Sequence, residues 1–235
     1  SGIVADYLAG IYGAFGAMLA LRALDLTGKG QVVDIGLYEP VFRILDELAP
    51  AYDTKGFVRE RMGPGTVNVV PHSHYPTRDK RWIAIACTND KIYERLSEAM
   101  TRSDMAPPPA WAKLANREQA RADVDAHVGK WTSSLDKADI LRICEECQVP
   151  CGPINSIAEI FADPQYAARE NIARVADPRF EKPLAVGNVV PRLTDTPGGI
   201  DHLGPPLGAD TTAIYEGLLG MSAERVEELR GKGVV

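Results

Sequence analysis

From Asp6 to about Leu26, apolar side chains recur at helical spacing, with Leu8, Ile11, Phe15, Met18 and Leu19 on the repeat. Gly10, Gly13 and Gly16 add a smooth stripe to the same segment. A glycine inside a helix costs about 1 kcal/mol relative to alanine, so this stripe predicts a helix pressed closely against other backbone. Asp6 stands at its head, and aspartate is a preferred N-cap. Gly28 and Gly30 suit the C-cap. Gln31–Leu37 then reads as a buried strand and Glu39–Leu48 as a helix, an α/β pattern.

The apolar run invites a test as a membrane span. Counted from Tyr7 to Leu21 it falls short of the roughly 20 residues a bilayer needs, so it predicts a buried core helix and no membrane contact. A chain of 235 residues with 45% hydrophobic side chains can bury a sizeable core. Its net charge of -6 lacks the basic excess that tracks phosphate backbones, which argues against a nucleic-acid partner.

The four cysteines, Cys87, Cys144, Cys147 and Cys151, include a Cys-x-x-Cys that suggests a redox pair or half a zinc site. Neighbouring residues supply no second pair, so a four-ligand zinc site is not assembled and no metal is expected. Cys144 and Cys147 fall on an amphipathic helical pattern, where cysteine acts as a small buried hydrophobe. Reduced thiols in a cytoplasmic protein are the expectation.

Ala49–Pro71 has little periodicity and several prolines and glycines, and reads as a linker plus loop. A second unit begins near His72, where His74–Thr77 and Trp82–Cys87 flank the polar turn Arg78-Asp79-Lys80-Arg81, a hairpin signature. Helices are predicted over Asp90–Met100, Arg117–Trp131 and Lys137–Cys147, with Asn116 and Gln119 resembling a capping box on the second. Pro150-Cys151-Gly152-Pro153 reads as a turn, Ser156-x-x-Glu159 as a capping box and Asp163-Pro164 as a helix start. Beyond Asn171 the chain is strand-like and irregular, then closes with helices near Thr211–Leu219 and Ser222–Arg230.

The run Ala5-Asp6-Tyr7-Leu8-Ala9-Gly10-Ile11-Tyr12 through Thr27-Gly28-Lys29-Gly30-Gln31-Val32-Val33-Asp34 resembles the class III CoA-transferase family, which includes carnitine and formyl-CoA transferases. The likeness continues through Tyr75-Pro76-Thr77, Trp82-Ile83-Ala84-Ile85, Val149-Pro150-Cys151-Gly152-Pro153-Ile154-Asn155 and Pro205-Pro206-Leu207-Gly208. It implies transfer of CoA from an acyl-CoA donor to a free carboxylic acid, with Asp6 as the matching nucleophile. A carboxylate is ionised at neutral pH and needs no partner base. The resemblance also implies a glycine loop over the site, matched by Arg61-Met62-Gly63-Pro64-Gly65-Thr66, so Gly63 and Gly65 are candidate substrate contacts. His72 and His74 could reach a substrate carboxylate or lie on an ordinary sheet face. Arg59 and Arg61 could attract an anion or be solvated linker residues.

By the same resemblance the fold is α/β, part of a Rossmann-like large domain plus a smaller α+β domain, in an interlocked homodimer. The implied layout is a large-domain segment over 1–48, a linker over 49–71, a small domain over 72–170, a return linker over 171–191 and a large-domain segment over 192–235. Family members carry an N-terminal Rossmann-like half with most of the CoA-binding surface, and nothing in this chain corresponds to it. The chain opens on Ser1-Gly2 without methionine. A longer chain or a companion polypeptide is therefore expected. Two alternatives stay open: an acyl-CoA racemase in which the aspartate moves a proton, and a non-catalytic assembly subunit.

Overall fold

The computed structural model describes residues 3–235. The chain is mixed α/β and falls into two compact units, Ser1–Gly65 and Thr66–Val235.

Unit 1 opens with α1 (Val4–Thr27), about 36 Å long at 1.5 Å per residue. Gly28 closes it in the left-handed conformation at φ 70°, its N–H bonded to Leu24 O at 2.8 Å. The next residues double back along the helix. A Cβ placed on Gly16 would stand 2.9 Å from Val33 Cγ1, and one on Gly13 would stand 3.9 Å from Ile35 Cδ1. The glycine stripe therefore admits the 31–35 segment at close range. Gly10 faces open space. Two short helices follow, α2 (Tyr38–Ile44), packed against α1, and α3 (Leu48–Lys55).

Several expectations for this unit are corrected. Gln31–Leu37 is not a strand, because strand pairing needs a neighbour and the described residues supply none. Nor is it buried: Val32 is 91% exposed. α1 has no buried residue, and among the described residues of unit 1 only Pro40 is buried. The helix is also longer than its most apolar stretch, so by length and composition it could cross a membrane and the length argument against a span fails. α3 occupies the start of the expected linker, since Pro50 lies in its first turn, where a missing N–H is tolerated.

Unit 2 holds the core. β1 (His72–Pro76), β2 (Trp82–Ala86) and β3 (Cys151–Ile154) form an antiparallel sheet in that order, with Tyr75 opposite Ile83 and Ile85 opposite Cys151. Ile83, Ile85 and Tyr75 pack with residues of α4 (Asp90–Thr101), α6 (Arg121–Ser133) and α7 (Lys137–Glu146). The helices bury them at helical spacing: Tyr93, Leu96 and Met100 from α4, Val124, Val128 and Trp131 from α6, Ile140 and Cys144 from α7. Tyr75 also donates its hydroxyl to Asp125 Oδ1 at 2.6 Å, tying β1 to α6.

The expected turn at Pro150–Pro153 is instead strand β3. It is an edge strand, where proline is tolerated. The Asn116–Gln119 capping box does not form, because α5 (Leu114–Gln119) starts earlier and Asn116 Nδ2 donates to Ala110 O at 2.7 Å. The Ser156–Glu159 box does form, heading α8 (Ile157–Ala162), and Asp163 caps α9 (Pro164–Ala168). β4 (Ile172–Val175) pairs with β5 (Leu184–Gly187), a π-helical segment spans Ala213–Leu218, and Ser222 caps α10 (Ala223–Gly231).

Glu159 joins α8 to α7. Its carboxylate accepts from Ser156 N and Oγ, each at 2.8 Å, and pairs with Lys137 Nζ. The lysine hydrogen bond first, then those from Ser156, lower its pKa from 4.5 to about 2. A carboxyl held low in the folded state stabilises above its unfolded pKa and loses that contribution as pH falls through the folded value. Urea titrations should therefore show a stability gap between the parent and Glu159→Gln that is full above pH 4.5 and closes towards pH 2. Parallel curves across that window would contradict the linkage.

Candidate active site

Asp6 lies in the first turn of α1, exposed to solvent. It is not the N-cap. That position is Ile3, which offers no side-chain acceptor, so no side chain caps the helix start. Asp6 is the acidic residue of that turn, where the positive end of the helix dipole favours a carboxylate. Among the described residues, no hydrogen bond or ion pair engages its oxygens. The bland reading of Asp6 as an N-cap therefore fails.

Beyond Asp6, the far end of the helix and the entry to α2 are fixed by local bonds. Thr27 Oγ1 donates to Ala23 O at 2.8 Å and accepts from Lys29 N at 3.3 Å, fixing the exit from the helix. Gly36 N donates to Glu39 Oε2 at 2.5 Å, fixing the entry to α2.

Gly63 and Gly65 belong to a tight turn. Gly63 takes φ 62°, a conformation that favours glycine, and Gly65 N donates to Met62 O at 3.4 Å. The Gly65 N–H is thus turned inward, whereas among the described residues the Gly63 N–H has no backbone partner. Both glycines share unit 1 with Asp6, and no described hydrogen bond joins the loop to it. Arg59 is paired with Glu47 at 3.0 Å, which reduces its pull on an anion, and Arg61 is exposed.

His72 and His74 lie in unit 2 on the sheet face opposite the core, across from Ala86 and Ala84. This is the ordinary sheet-face placement. That face also carries Trp82 and Ile154, paired with each other and both exposed. His127 is structural, bonded through Nε2 to Met105 O at 3.1 Å and set edge-on to Trp111. His202 Nδ1 accepts from Gly204 N at 3.1 Å. Among the described residues, no group of three or more His, Cys, Asp or Glu is placed to hold a metal ion.

The sequence reading passed over Arg117. It is 0% exposed and donates to Val70 O at 2.7 Å, Trp111 O at 2.8 Å, Ala112 O at 3.0 Å and Asp90 Oδ1 at 3.0 Å. Its guanidinium also lies 4.2 Å from the centre of the Tyr93 ring. An arginine at a helix start reads as solvated, and only the convergence of distant carbonyls reveals its role.

CoA-transferase family III matches residues 1–211. The chain belongs to that family. It is 45% identical over 230 residues, 98% of its length and 54% of the relative's, to the succinyl-CoA–L-malate CoA-transferase alpha subunit of Chloroflexus aurantiacus. It is 41% identical to the beta subunit from the same organism, over 99% of this chain and 58% of that one. Among solved structures it is similar to a CAIB/BAIF family protein from Brucella suis, with a TM-score of 0.73 and 29% identity, covering 92% of this chain and 55% of the other. This family III chain spans about half the length of the curated relatives it matches.

Proposed function

We propose that this chain supplies the nucleophile of a CoA-transferase that moves CoA from an acyl-CoA to a small carboxylic acid. The observation that carries this reading is Asp6 itself: in a family III chain, an exposed first-turn carboxylate with no described partner. The relatives' names supply the substrate class, a succinyl-CoA donor and an acceptor such as L-malate.

In this mechanism an Asp6 oxygen attacks the donor thioester carbonyl and expels CoA thiolate, leaving a mixed anhydride. The thiolate then attacks the aspartyl carbonyl, forming an aspartyl-CoA thioester and releasing the donor carboxylate. The acceptor carboxylate attacks that thioester, and the thiolate expelled returns to the acceptor carbonyl of the new anhydride, which regenerates Asp6. Each addition creates an oxyanion that needs N–H donors. Gly63 suits that role, its N–H having no partner among the described residues, and Gly65 contributes by shaping the turn.

Unit 1 buries almost nothing by itself, and exposed apolar surface on this scale marks an interaction face. We assign its cover to a Rossmann-like half with the main CoA-binding surface, carried in a longer chain or in a companion subunit. Alpha and beta subunits among the relatives support the companion. The large-domain, linker and small-domain layout set out from the sequence, the interlocked homodimer and a cytoplasmic location belong to the same proposal.

The test is to quench the assembled protein with hydroxylamine during turnover of succinyl-CoA. An adduct on the peptide containing Asp6 is expected. No adduct, together with exchange of the substrate α-proton into solvent, would replace transfer by racemase chemistry.

A further inference from the structure

Three of the four cysteines converge at one end of the unit 2 core. Cys144 lies on the buried face of α7, Cys151 opens β3, and Cys87 follows β2, whose Ile85 is registered opposite Cys151. The reversal between α7 and β3 is tight. Gln148 adopts φ 54°, and Val149 N bonds back to Cys144 O at 2.8 Å. That turn lays β3 against α7 and packs Cys151 on the core cluster beside Cys144. Cys147, the other member of the Cys-x-x-Cys, instead has Arg102, Glu98 and Glu146 as its charged neighbours.

The two partners differ in access. Cys144 is 1% exposed, whereas Cys151 is half-buried and lines a surface cavity of about 530 Å³ with Leu141, Glu145, Gln148, Val149 and Pro150. A small oxidant entering that cavity meets Cys151, whereas Cys144 is buried in the core and does not line it.

We propose that Cys151 is a site of oxidation by hydroperoxides, and that Cys144 resolves it to an intrachain Cys144–Cys151 disulfide. In the first step the Cys151 thiolate attacks one peroxide oxygen. A sulfur–oxygen bond forms, the oxygen–oxygen bond breaks, sulfur is oxidised to sulfenic acid, and hydroxide leaves and takes up a proton. In the second, the Cys144 sulfur attacks the Cys151 sulfur. The sulfur–sulfur bond forms, the sulfur–oxygen bond breaks, and the departing hydroxide leaves as water with the Cys144 proton. Overall, two thiols and one hydrogen peroxide give one disulfide and two waters.

Access supports this division of roles. Oxidation of a thiol needs contact with the oxidant, and Cys151 lines the cavity whereas Cys144 is buried. Cys87, pushed up to about 12 chiefly by burial, is the unreactive neighbour.

The test treats the full-length protein with hydrogen peroxide and follows each cysteine by differential alkylation and peptide mass spectrometry. The expected product is a linked Cys144–Cys151 peptide that dithiothreitol reverses, with Cys147 still alkylatable. Cys151→Ser should abolish the loss of alkylatable Cys144, and Cys144→Ala should leave a Cys151 sulfenic acid that dimedone captures. The proposal is overturned if both thiols stay alkylatable in the unsubstituted protein, if Cys144 links to Cys147, or if Cys151→Ser leaves Cys144 oxidation unchanged. The measurement on the unsubstituted protein does not depend on how the variants fold.

Discussion

Under the proposed mechanism, Asp6→Ala is expected to stop CoA transfer by the assembled protein, lowering turnover by about 10⁴-fold or more, as removal of a covalent nucleophile does elsewhere. The change should be almost invisible to the fold. Asp6 is exposed, is not the N-cap, and among the described residues engages no hydrogen bond, so truncation leaves no orphaned partner. Far-UV circular dichroism and assembly state should match the parent protein. Asp6→Asn should fail equally, because an amide oxygen is a poor nucleophile at neutral pH. Asp6→Glu keeps the charge but adds a methylene, displacing the attacking oxygen from a geometry on which the rate depends steeply. Turnover unchanged in Asp6→Ala would leave the chain with an assembly role alone.

Arg117→Ala will have the largest effect on stability, with a loss of about 3–5 kcal/mol in urea denaturation of unit 2. The loss comes from what is left behind. Val70, Trp111 and Ala112 carbonyls lose their donor, the Val70 one inside the core, and the stacking on Tyr93 disappears. Asp90 also loses one partner, although Lys113, the Leu114 N–H and water remain to compensate there. A domain is stable by only about 5–15 kcal/mol, so the variant should be partly unfolded at physiological temperature. Arg117→Lys should not rescue it, because one ammonium cannot reproduce a planar fork serving four acceptors. A loss below about 1 kcal/mol, the scale of a single net hydrogen bond, would show that the buried guanidinium is dispensable.

Unit 2 was legible where its core is self-contained. The spacing of Tyr93, Leu96 and Met100 and of Val124, Val128 and Trp131 is helical because the surface they bury lies within the same unit. Cys144 reads correctly as a buried small hydrophobe for the same reason. β3 was hidden because Pro150 just before it and Gly152 and Pro153 within it carry turn chemistry, and only pairing with β2 makes Cys151–Ile154 a strand. In unit 1 the helix was visible but its exposure was not, since burial and strand pairing depend on a neighbouring surface as well as on the segment itself. Asp6 was the least legible residue by periodicity alone. Its pattern fits a cap, and the family resemblance singled it out before the structure placed the cap at Ile3. The meeting of Cys144 with Cys151 was equally hidden, because the Cys-x-x-Cys spacing draws attention to Cys147 instead.

The bareness of α1 has a consequence for when chemistry can start. An anhydride formed in open water would be hydrolysed and the acyl group wasted. With Asp6 exposed on a helix that has no buried residue in this chain, the surface that shelters the helix would be the same one that dries the reaction site. Under the proposed mechanism, unaccompanied copies would then lack that shelter, and only the assembled protein would pass the acyl group on without losing it to water.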